Sequence, residues 1–312
     1  ADIVSARAHA GTVVVDNLTE LRVLAQLGRD NMPDIWLRWL PGMAVTTHHR
    51  HTQTGQHGSK FGMTSEEWPE AVRVCRQAGL PLKGLHFHQG SNFRDPAPLV
   101  AAIEPALDLA QSMDLGTSWH FSPGGGWSVA YHEDDLPQPD IDEYVRVIAS
   151  SVMGKCRAIG LPLPILHLEP GRSLVARAGV AVYRVGVLKR RGGRTWVLVD
   201  GGMADNPRPA LYGSRYSCLP ATGLQREASE QVSIAGPYCE SGDVLLEDLA
   251  MPPMEEGELI AIPASGAYQL SMSSNYNGAR RPAAVFVQSG RTHLAVRRET
   301  VDDLGRRDLS IL

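Results

Sequence analysis

The stretch Ile165-Leu166-His167-Leu168-Glu169-Pro170-Gly171-Arg172 decides how the fold of this chain is interpreted. Its apolar start predicts a buried strand. The strand must end at Pro170, because proline has no N–H for a sheet ladder and the glycine after it permits a sharp turn. Glu169 and Arg172 are therefore left at the carboxyl end of the strand with opposite charges. In an α/β barrel, this end of each strand carries the chemistry. A surface turn with an ion pair is the alternative when the stretch is considered alone.

Composition and charge exclude several classes of protein. The 312 residues, 43% of them hydrophobic, suffice for one large domain or two ordinary ones. A net charge of −4 and the lack of a basic stripe argue against nucleic acid as a partner. The four cysteines form no C-x-x-C pair, which fits a reducing compartment. Because the sequence has neither a signal-peptide pattern nor an apolar run of membrane-spanning length, it predicts a soluble cytoplasmic protein.

The first part of the chain alternates between strand-like and helix-like segments. Apolar runs predict strands at 12–15, 35–40, 82–88, 118–122 and 165–168. Helical spacing between a capping residue and a final glycine or polar stop predicts helices at about 18–27, 65–77, 95–113 and 140–158, with Thr64 or Ser65 as the cap of the second. Repeated β-α-β alternation indicates a parallel sheet with crossover helices.

The predicted strands are too few to close a barrel. An α/β barrel has eight strands and needs about 250 residues. The segment that ends at Arg172 has 172 residues. Each β-α unit takes roughly 30 residues, so about three units are missing. We therefore expect residues 1–172 to form an incomplete TIM-like barrel. Its first units would precede Ala1, on the same chain or on a separate one.

After Arg172 the pattern becomes β-rich. Strand-like runs at 180–187, 194–199, 231–235, 258–262, 283–287 and 292–296 are separated by Gly, Pro and Asn. Helical signals are few in this part. The pattern predicts an all-β domain over residues 173–312, with antiparallel strands.

Polar or glycine clusters follow three consecutive predicted barrel strands. They are His86-Phe87-His88-Gln89-Gly90-Ser91, Ser122-Pro123-Gly124-Gly125-Gly126 and Glu169-Pro170-Gly171-Arg172. A glycine triplet lets backbone N–H groups point at an anion, and barrels commonly bind phosphate after their seventh and eighth strands. If the 165–168 strand is the eighth, Gly124, Gly125 and Gly126 form a phosphate loop. A plain flexible loop is the alternative.

Individual side chains at this rim suit a cofactor with a pyridine ring and a phosphate. Glu169 beside a pyridine nitrogen would keep that nitrogen protonated, which is the electron sink that pyridoxal-phosphate chemistry needs. His88 could stack on an aromatic ring or be a buried, hydrogen-bonded histidine. Ser91 could donate to phosphate or cap a helix.

A histidine-rich stretch that contains His48, His49, His51 and His57 raises the question of a metal site. These residues have no helical or zinc-finger spacing, and their neighbours are polar. A loop over the mouth of the site is the favoured interpretation, and no metal is expected.

The motifs resemble those of the fold-type III pyridoxal-phosphate decarboxylases, and most closely the diaminopimelate decarboxylases. The resemblance runs essentially from end to end, in the order that the family has. It is carried by Thr54-Gly55, Ser59 to Gly62, Gly84 to Ser91, Gly124 to Gly126, Glu169 to Arg172, Val199 to Met203, Arg208 to Gly213, Gly236 to Asp243, Gly266 to Tyr268 and Ser273 to Asn277. It implies an alanine racemase-like architecture, pyridoxal 5′-phosphate as cofactor, and a homodimer with shared active sites. The implied reaction is the decarboxylation of meso-2,6-diaminopimelate to L-lysine in lysine biosynthesis.

The resemblance also implies roles for single residues. His88 would stack on the cofactor ring, and Glu169 would pair with its pyridine nitrogen. Contacts to the cofactor and its phosphate would come from Ser91, Gly124, Gly125, Gly126, Gly171, Arg172 and Tyr268. Contacts to the substrate would come from Arg172, Arg208, Tyr212, Glu240 and Tyr268. Cys239 would reach the partner subunit's site and donate a proton there, which makes Cys239, Glu169 and His88 the implied catalytic residues. Without the resemblance, Cys239 suggests a small buried residue, Arg208 a strand edge and Tyr268 a core position.

Two departures from the family pattern limit these expectations. The Schiff-base lysine, expected on an early barrel strand, has no counterpart among Lys60, Lys83, Lys155 and Lys189, so we expect the chain by itself to be inactive. The segment Ser214-Arg215-Tyr216 stands where diaminopimelate decarboxylases usually have a smaller residue, an aromatic residue and a histidine.

Three alternative functions stay open from the sequence. The first is decarboxylation of another diamino acid, such as ornithine, lysine or a precursor of a siderophore or antibiotic. The second is amino-acid racemisation, which the carboxylate of Glu169 argues against, because a racemase is expected to leave the pyridine nitrogen unprotonated. The third is an inactive homologue that binds a partner through its dimer surface.

Overall fold

The chain divides into two compact units. The computed structural model describes residues 2–43 and 54–309. The first unit contains residues 1–129 and 138–173, and the second contains residues 130–137 and 174–312. The segment 130–137 therefore belongs to the β-rich unit although it precedes the last barrel helix in the sequence.

The first unit is built on a parallel sheet with the strand order β1-β2-β3-β4-β5. Its elements are α1 (Asp2–His9), β1 (Thr12–Val15), α2 (Leu18–Gln26), β2 (Asp34–Trp39), α3 (Trp68–Ala78), β3 (Leu82–Phe87), α4 (Ala97–Gln111), β4 (His120–Ser122), α5 (Ile141–Ile159), β5 (Ile165–Leu166) and α6 (Gly171–Val175). Strands that are neighbours in the sheet are joined by helices, which is the β-α order of a TIM-like barrel. The five predicted strands and the four predicted helices are confirmed in position. The prediction that the 165–168 strand is buried is wrong, because β5 has only two residues and Ile165 is 52% exposed. Helix α1 was not predicted, because its apolar residues do not gather on one helical face.

Capping residues set the ends of the helices. Asn17 accepts the amide of Glu20 at 2.9 Å before α2, and Asp140 accepts the amide two residues further on at 3.0 Å before α5. Gly79 and Gly160 end α3 and α5 with left-handed φ angles of 58° and 68°. Glycine adopts this conformation without the steric cost that a Cβ brings, so both helices stop where the sequence predicted.

Helix α3 begins later than its predicted cap. Thr64 N donates to Glu67 Oε2 at 2.9 Å, and Glu67 N donates to Thr64 Oγ1 at 3.4 Å. This exchange is the capping-box pattern, but it closes a turn before the helix. The helix itself starts at Trp68 with Pro69 in its first turn, where proline's missing N–H has no intrahelical partner to lose.

The core of the first unit lies between one face of the sheet and the helices. It includes Ile35, Leu37, Leu85, Phe121, Leu21, Leu24, Trp68, Ala71, Ile103, Leu107 and Ile148. Successive side chains of a strand point to opposite faces. The residues between these core positions therefore share the other face: Trp36 and Arg38 on β2, Gly84 and His86 on β3, His120 and Ser122 on β4, and His167 and Glu169 beyond β5. The polar residues of the predicted rim are on this second face.

The second unit is β-rich. Its elements are β6 (Ala181–Arg191), β7 (Arg194–Val199), α7 (Arg208–Tyr212), β8 (Leu219–Pro220), β9 (Glu230–Ala235), β10 (Val244–Met251), β11 (Leu259–Ile262), β12 (Ala284–Gln288), β13 (Arg291–Val296) and α8 (Val301–Gly305). One sheet has the order β10-β9-β7-β6-β11-β8, and β12 and β13 form a separate hairpin. An incomplete α/β barrel followed by a β-rich domain is the fold class that the sequence predicted.

The β-rich unit differs from the prediction in strand direction and in two strands that were missed, the two-residue β8 and β10. Strands β7 and β9 are parallel, so the sheet is mixed rather than all antiparallel. The long connection between them, which contains α7 and β8, is what parallel neighbours require. Strand β10 was missed because Glu247 and Asp248 interrupt its apolar pattern. The structure accommodates them with register shifts against β9 and a φ of 49° at Asp248.

Candidate active site

Two hydrogen-bond donors converge on one carboxylate oxygen at the carboxyl ends of β3, β4 and β5. His86 Nε2 lies 3.2 Å from Glu169 Oε1, and Ser122 Oγ donates to the same oxygen at 2.8 Å. The parallel register of β3 and β4 sets His86 opposite Ser122. The three strands thus fix the position of a carboxylate that the sequence placed at the rim.

Glu169 is ionised at neutral pH. The hydrogen bond from His86 is the main reason that its pKa falls to about 2, and it outweighs partial burial, which raises the pKa. The charge of His86, the hydrogen bond from Ser122 and the charge of His88 lower it further. An anion is therefore held at the end of β5.

His88 is a neutral imidazole beside this anion. Burial is the largest cause that lowers its pKa to about 4, and His86 and Arg38 add to it. The amide of Gly125 donates to His88 Nδ1 at 3.3 Å, so Nδ1 is the acceptor and the proton of the neutral ring is on Nε2. A neutral ring of fixed tautomer suits contact with another aromatic ring.

The glycine triplet permits the close approach of three strand ends. A Cβ on Gly125 would lie 1.9 Å from the carbonyl oxygen of Glu169, and a Cβ on Gly126 would lie 2.0 Å from that of Gly90. Gly124 and Gly126 also have φ angles of 76° and 90°. Glycine is therefore required here by packing between neighbouring loops, independently of any ligand.

The amides of this region already have some internal partners. Gly124 N donates to Ser122 Oγ at 3.1 Å, and Gly125 N donates to His88. Gly171 N donates to the carbonyl of Glu169 at 2.9 Å. Because the amides of Gly124 and Gly125 have internal acceptors, the amide of Gly126 is the candidate within the triplet for binding phosphate. Ser91 lies half-buried after β3, and Arg172 is buried in α6, with 6% of its surface exposed.

A second layer of aromatic residues lies one step down the strands. His120 Nδ1 and His167 Nε2 are 2.9 Å apart, and the Trp36 ring stacks on His120 with the centroids 5.2 Å apart. A Cβ on Gly84 would lie 2.7 Å from the Trp36 ring, so glycine makes room for the indole. Burial, and then the charge of His120, lower the pKa of His167. This layer lies on the same face of the sheet as Glu169, one pair of residues closer to the amino ends of the strands.

In the second unit, a buried arginine is held by two hydroxyl groups. Arg208 begins α7 and is 3% exposed. Its Nε donates to the hydroxyl of Tyr216 at 2.8 Å, and its Nη2 donates to Ser214 Oγ at 3.2 Å. Arg215, between them, points outward and pairs with Asp134 at 3.1 Å. The segment that departs from the family pattern therefore includes the residues that fix the Arg208 guanidinium, and Arg208 is not at a strand edge.

Three aromatic rings surround the same guanidinium. The Cζ of Arg208 lies 5.2 Å from the ring centroid of Tyr131, 5.6 Å from that of Tyr212 and 5.9 Å from that of Tyr268. Tyr268 is 41% exposed and has a φ of 58°. A bulky residue rarely adopts this backbone region, and such strain is concentrated at functional sites. Tyr268 is therefore not a core residue.

Cys239 and Glu240 lie on the surface of the second unit. Asn277 Nδ2 donates to Cys239 Sγ at 3.4 Å, and the Tyr276 hydroxyl donates to Glu240 Oε1. The hydrogen bond to Glu240 is the main cause that raises the pKa of Tyr276. Cys239 is exposed, whereas Cys75, Cys156 and Cys218 are buried. The buried-residue interpretation of Cys239 is therefore wrong.

Neither a metal cluster nor a membrane span is found in residues 2–43 and 54–309. No three His, Cys, Asp or Glu side chains of these ranges are grouped as metal ligands, and no helix in them is long and apolar enough to cross a bilayer. Of the histidine-rich stretch, His57 is exposed, and His48, His49 and His51 lie outside the described residues.

The structure places the predicted site residues in three groups. In the first unit it brings together His88, Gly124, Gly125 and Glu169, and in the second unit Arg208, Tyr212 and Tyr268. Cys239 and Glu240 form the third group with Tyr276 and Asn277. Sequence reasoning gave no role to His86 and Ser122. The available signal was that His86 precedes His88 by two residues on one strand, which puts both on one face.

The donor set of the first unit fits pyridoxal 5′-phosphate. A pyridinium N–H needs an ionised acceptor, and Glu169 supplies one whose Oε2 has no hydrogen-bond partner in the described part of the chain. The neutral ring of His88 is next to it and accepts the amide of Gly125, and Gly124 O accepts the backbone amide of Glu169. The combination of anion, neutral ring and amide groups matches the nitrogen, ring and phosphate of this cofactor.

Comparison with known families confirms the class of protein that this site defines. The family described as pyridoxal-dependent decarboxylase, pyridoxal binding domain, matches residues 2–176. The chain belongs to the pyridoxal-dependent decarboxylases, and pyridoxal phosphate is their cofactor.

Within this class, the chain is a member of the diaminopimelate decarboxylase family. It is 41% identical to the diaminopimelate decarboxylase of Bacillus subtilis over 308 residues, which cover 96% of the chain and 70% of the relative. A crystal structure of a diaminopimelate decarboxylase aligns with a TM-score of 0.87 and 32% identity, covering 100% of the chain and 75% of that structure. The Helicobacter pylori enzyme in complex with L-lysine aligns with a TM-score of 0.82 and 30% identity, covering 94% and 72%. The predicted alanine racemase-like architecture is confirmed by these likenesses.

Proposed function

We propose that the protein decarboxylates meso-2,6-diaminopimelate to L-lysine with pyridoxal 5′-phosphate as cofactor, as a carboxy-lyase of lysine biosynthesis. The observation that carries the proposal is the ionised Glu169, with both of its donors on Oε1. An anion here favours a protonated pyridine nitrogen, which decarboxylation requires and racemisation does not. The relatives named diaminopimelate decarboxylase support the choice of substrate.

The cofactor supplies an electron sink for the electron pair that CO₂ leaves behind. Residues of the first unit bind and orient it. Glu169 Oε2 would accept the pyridine N–H, and the neutral ring of His88 would pack against the cofactor ring. We propose that Ser91, Gly126 and Arg172 contact the cofactor and its phosphate, and that Gly124, Gly125 and Gly171, whose amides have internal partners, shape the loops around it.

Residues of the second unit bind the substrate. Arg208 offers a buried guanidinium to a carboxylate, and its hydroxyl partners keep it in place. The rings of Tyr212 and Tyr268 lie beside the same guanidinium, and we propose that Tyr212 and Tyr268 contact the substrate. We propose that Tyr268 also contacts the cofactor. Arg172, which belongs to the first unit, is the remaining residue proposed to contact the substrate.

The exposed pair Cys239 and Glu240 serves the site of a partner subunit. We propose a homodimer in which Cys239 Sγ donates the proton that replaces CO₂, and Glu240 contacts the far end of the substrate. Exposure of both residues supports this role, because a group that acts on another subunit must be on the surface. We also propose a cytoplasmic location, since the four cysteines are free, as expected in a reducing compartment.

The Schiff-base lysine belongs, in this proposal, to polypeptide outside residues 1–312, covalently joined or separate. Lys60, Lys83, Lys155 and Lys189 do not match the lysine motif of the family. The chain spans 70% of the length of the Bacillus subtilis relative. We propose that residues 1–172 act as the cofactor-binding domain and residues 173–312 as the domain of substrate binding and dimer formation.

Release of CO₂ from a panel of amino acids tests the function. The full-length protein with pyridoxal phosphate is expected to release CO₂ from meso-diaminopimelate and to form lysine. Ornithine and lysine serve as competing substrates. Turnover of either one without turnover of diaminopimelate would contradict the proposed substrate, and no release from any of them would contradict the proposed reaction.

Another diamino acid is the second candidate substrate, and one observation favours it. Tyr216 replaces the histidine that is usual in the family, and its hydroxyl is 2.8 Å from Arg208 Nε. Because Tyr216 helps to position the guanidinium that we propose binds the substrate, a different residue here can change which diamino acid the site accepts. The same panel distinguishes the two candidates.

A further inference from the structure

We propose that His86 and Ser122 are positioning residues: together they occupy Oε1 of Glu169 as donors and so reserve Oε2 for the pyridine N–H of the cofactor. This inference rests on the proposed function, since it assumes that Glu169 faces the cofactor. It adds a physical reason why that carboxylate stays ionised and presents one defined oxygen.

The direction of each hydrogen bond follows from the neighbours of the two donors. The amide of Gly124 donates to Ser122 Oγ at 3.1 Å, so the oxygen of Ser122 is used as an acceptor there. Its own proton is then directed to Glu169 Oε1, 2.8 Å away. Ser122 is fully buried, with 0% exposure, and therefore has no water to exchange with. The chain of bonds from Gly124 through Ser122 to Glu169 is thus oriented in one sense.

His86 is oriented by the same reasoning. It is 7% exposed, and its Nδ1 is buried without a hydrogen-bond partner among the described residues. If the proton of a neutral ring were on Nδ1, the lone pair of Nε2 would face a carboxylate oxygen at 3.2 Å, which is repulsive. Nε2 must therefore carry a proton. Leaving Nδ1 buried without a hydrogen bond costs free energy, which indicates that the ring is positioned for the contact of Nε2 with Glu169.

The other titratable groups around Glu169 do not replace these donors. His88, at the end of β3, has a pKa of about 4, chiefly because of burial. The pKa of His167, on the same segment as Glu169, is lowered by burial and by His120. Both rings are therefore neutral at physiological pH. Arg38 on β2 is engaged with Asp16 at 2.9 Å. The hydrogen bonds donated by His86 and Ser122 are therefore the contacts that stabilise the carboxylate of Glu169.

The position of the pyridine proton tests the proposal directly. The full-length protein is loaded with pyridoxal 5′-phosphate that carries ¹⁵N at the pyridine position, and the ¹⁵N signal is recorded together with the dissociation constant of the cofactor. The variants are His86→Leu, which removes the donor, His86→Gln, which returns an N–H at the place of Nε2, and Ser122→Ala. Ser233→Ala is the matched control, because Ser233 is also a serine with 0% exposure but lies in the other unit.

We expect the wild type to show a protonated pyridine nitrogen. In His86→Leu and Ser122→Ala the signal should move toward the unprotonated position, because a carboxylate with fewer donors takes the shared proton more readily. The loss of one hydrogen bond to a charged group should weaken cofactor binding about tenfold. His86→Gln should restore most of the wild-type signal, and Ser233→Ala should be unchanged.

The outcomes separate the inference from the function beneath it. Wild-type protein that does not bind the cofactor, or binds it with an unprotonated nitrogen, contradicts the proposed function. Wild-type protein with a protonated nitrogen, together with unchanged signals in both His86→Leu and Ser122→Ala, overturns only the positioning role. If His86→Leu does not fold, Ser122→Ala decides alone by the same criterion.

Discussion

The substitution Gly125→Ala tests whether the glycine triplet exists to bring the strand ends together at Glu169. A Cβ at this position would lie 1.9 Å from the carbonyl oxygen of Glu169 and 2.7 Å from its carbonyl carbon, whereas real Cβ atoms essentially never come closer than 3.0 Å. Both contacts are with backbone, which cannot rotate away. Gly125 does not have a positive φ, so alanine itself is not strained there. The whole effect is steric.

The size of the effect follows from the distance. The loop and the strand end must separate by about 1 Å, and overpacking of this kind typically costs about 1–3 kcal/mol of unfolding free energy. The displaced group is the backbone of Glu169, whose amide donates to Gly124 O at 3.2 Å. A shift of about 1 Å in an active site can lower the rate about 100-fold. Stability, cofactor affinity and turnover should therefore all fall in Gly125→Ala.

Urea unfolding and an absorbance titration with pyridoxal phosphate measure these changes. Gly154→Ala is the matched control, because it makes the same substitution inside α5, where the added Cβ meets nothing within 4 Å. It should raise stability by about 0.5–1 kcal/mol, since glycine is a poor helix former. The reasoning is refuted if Gly125→Ala unfolds at the wild-type urea concentration and binds the cofactor with wild-type affinity.

Three further predictions follow from the two units. The pKa of Glu169 is lowered to about 2, so its contribution to stability is complete above its ordinary pKa and is lost as the pH falls from about 4.5 to 2. The free energy of unfolding of the wild type and of Glu169→Gln, measured across this pH range, should show a loss of about 1–2 kcal/mol in the wild type only, after allowance for solvent screening of a half-exposed carboxyl. Tyr216→Phe removes the 2.8 Å acceptor of Arg208 Nε and should raise KM for the substrate about tenfold, with a smaller change in kcat; equal KM values would speak against this. Cys239→Ala should abolish turnover but leave the cofactor spectrum unchanged, and retained turnover would remove Cys239 from the mechanism.

The barrel unit could be predicted from the sequence because its signals are local. Each strand is a short apolar run, and residues such as Asn17 and Gly160 mark helix ends by their own chemistry. Strand β10 could not be found in this way, since Glu247 and Asp248 are tolerated only through register shifts against another strand. The parallel pairing of β7 and β9 is likewise a property of the sheet and not of either segment.

The site divides in the same manner. Glu169 and His88 could be predicted as site residues because strand ends of a barrel carry the chemistry and because the family motifs include them. The hydrogen bonds from His86 and Ser122 to Glu169 depend on the register between β3 and β4. The three residues are far apart in the sequence, so no local pattern predicts their contact. The role of Tyr216 was visible only as a departure from the family pattern, and the bond to Arg208 gives it a physical meaning.

The fate of the substrate α-proton in ²H₂O tests the central claim most directly. The full-length protein is incubated with meso-diaminopimelate and pyridoxal phosphate, and product and remaining substrate are analysed by mass spectrometry. Decarboxylation followed by protonation from solvent predicts lysine with one deuterium and remaining diaminopimelate without deuterium. Deuterium in the recovered diaminopimelate, without formation of lysine, would show racemisation and contradict the account.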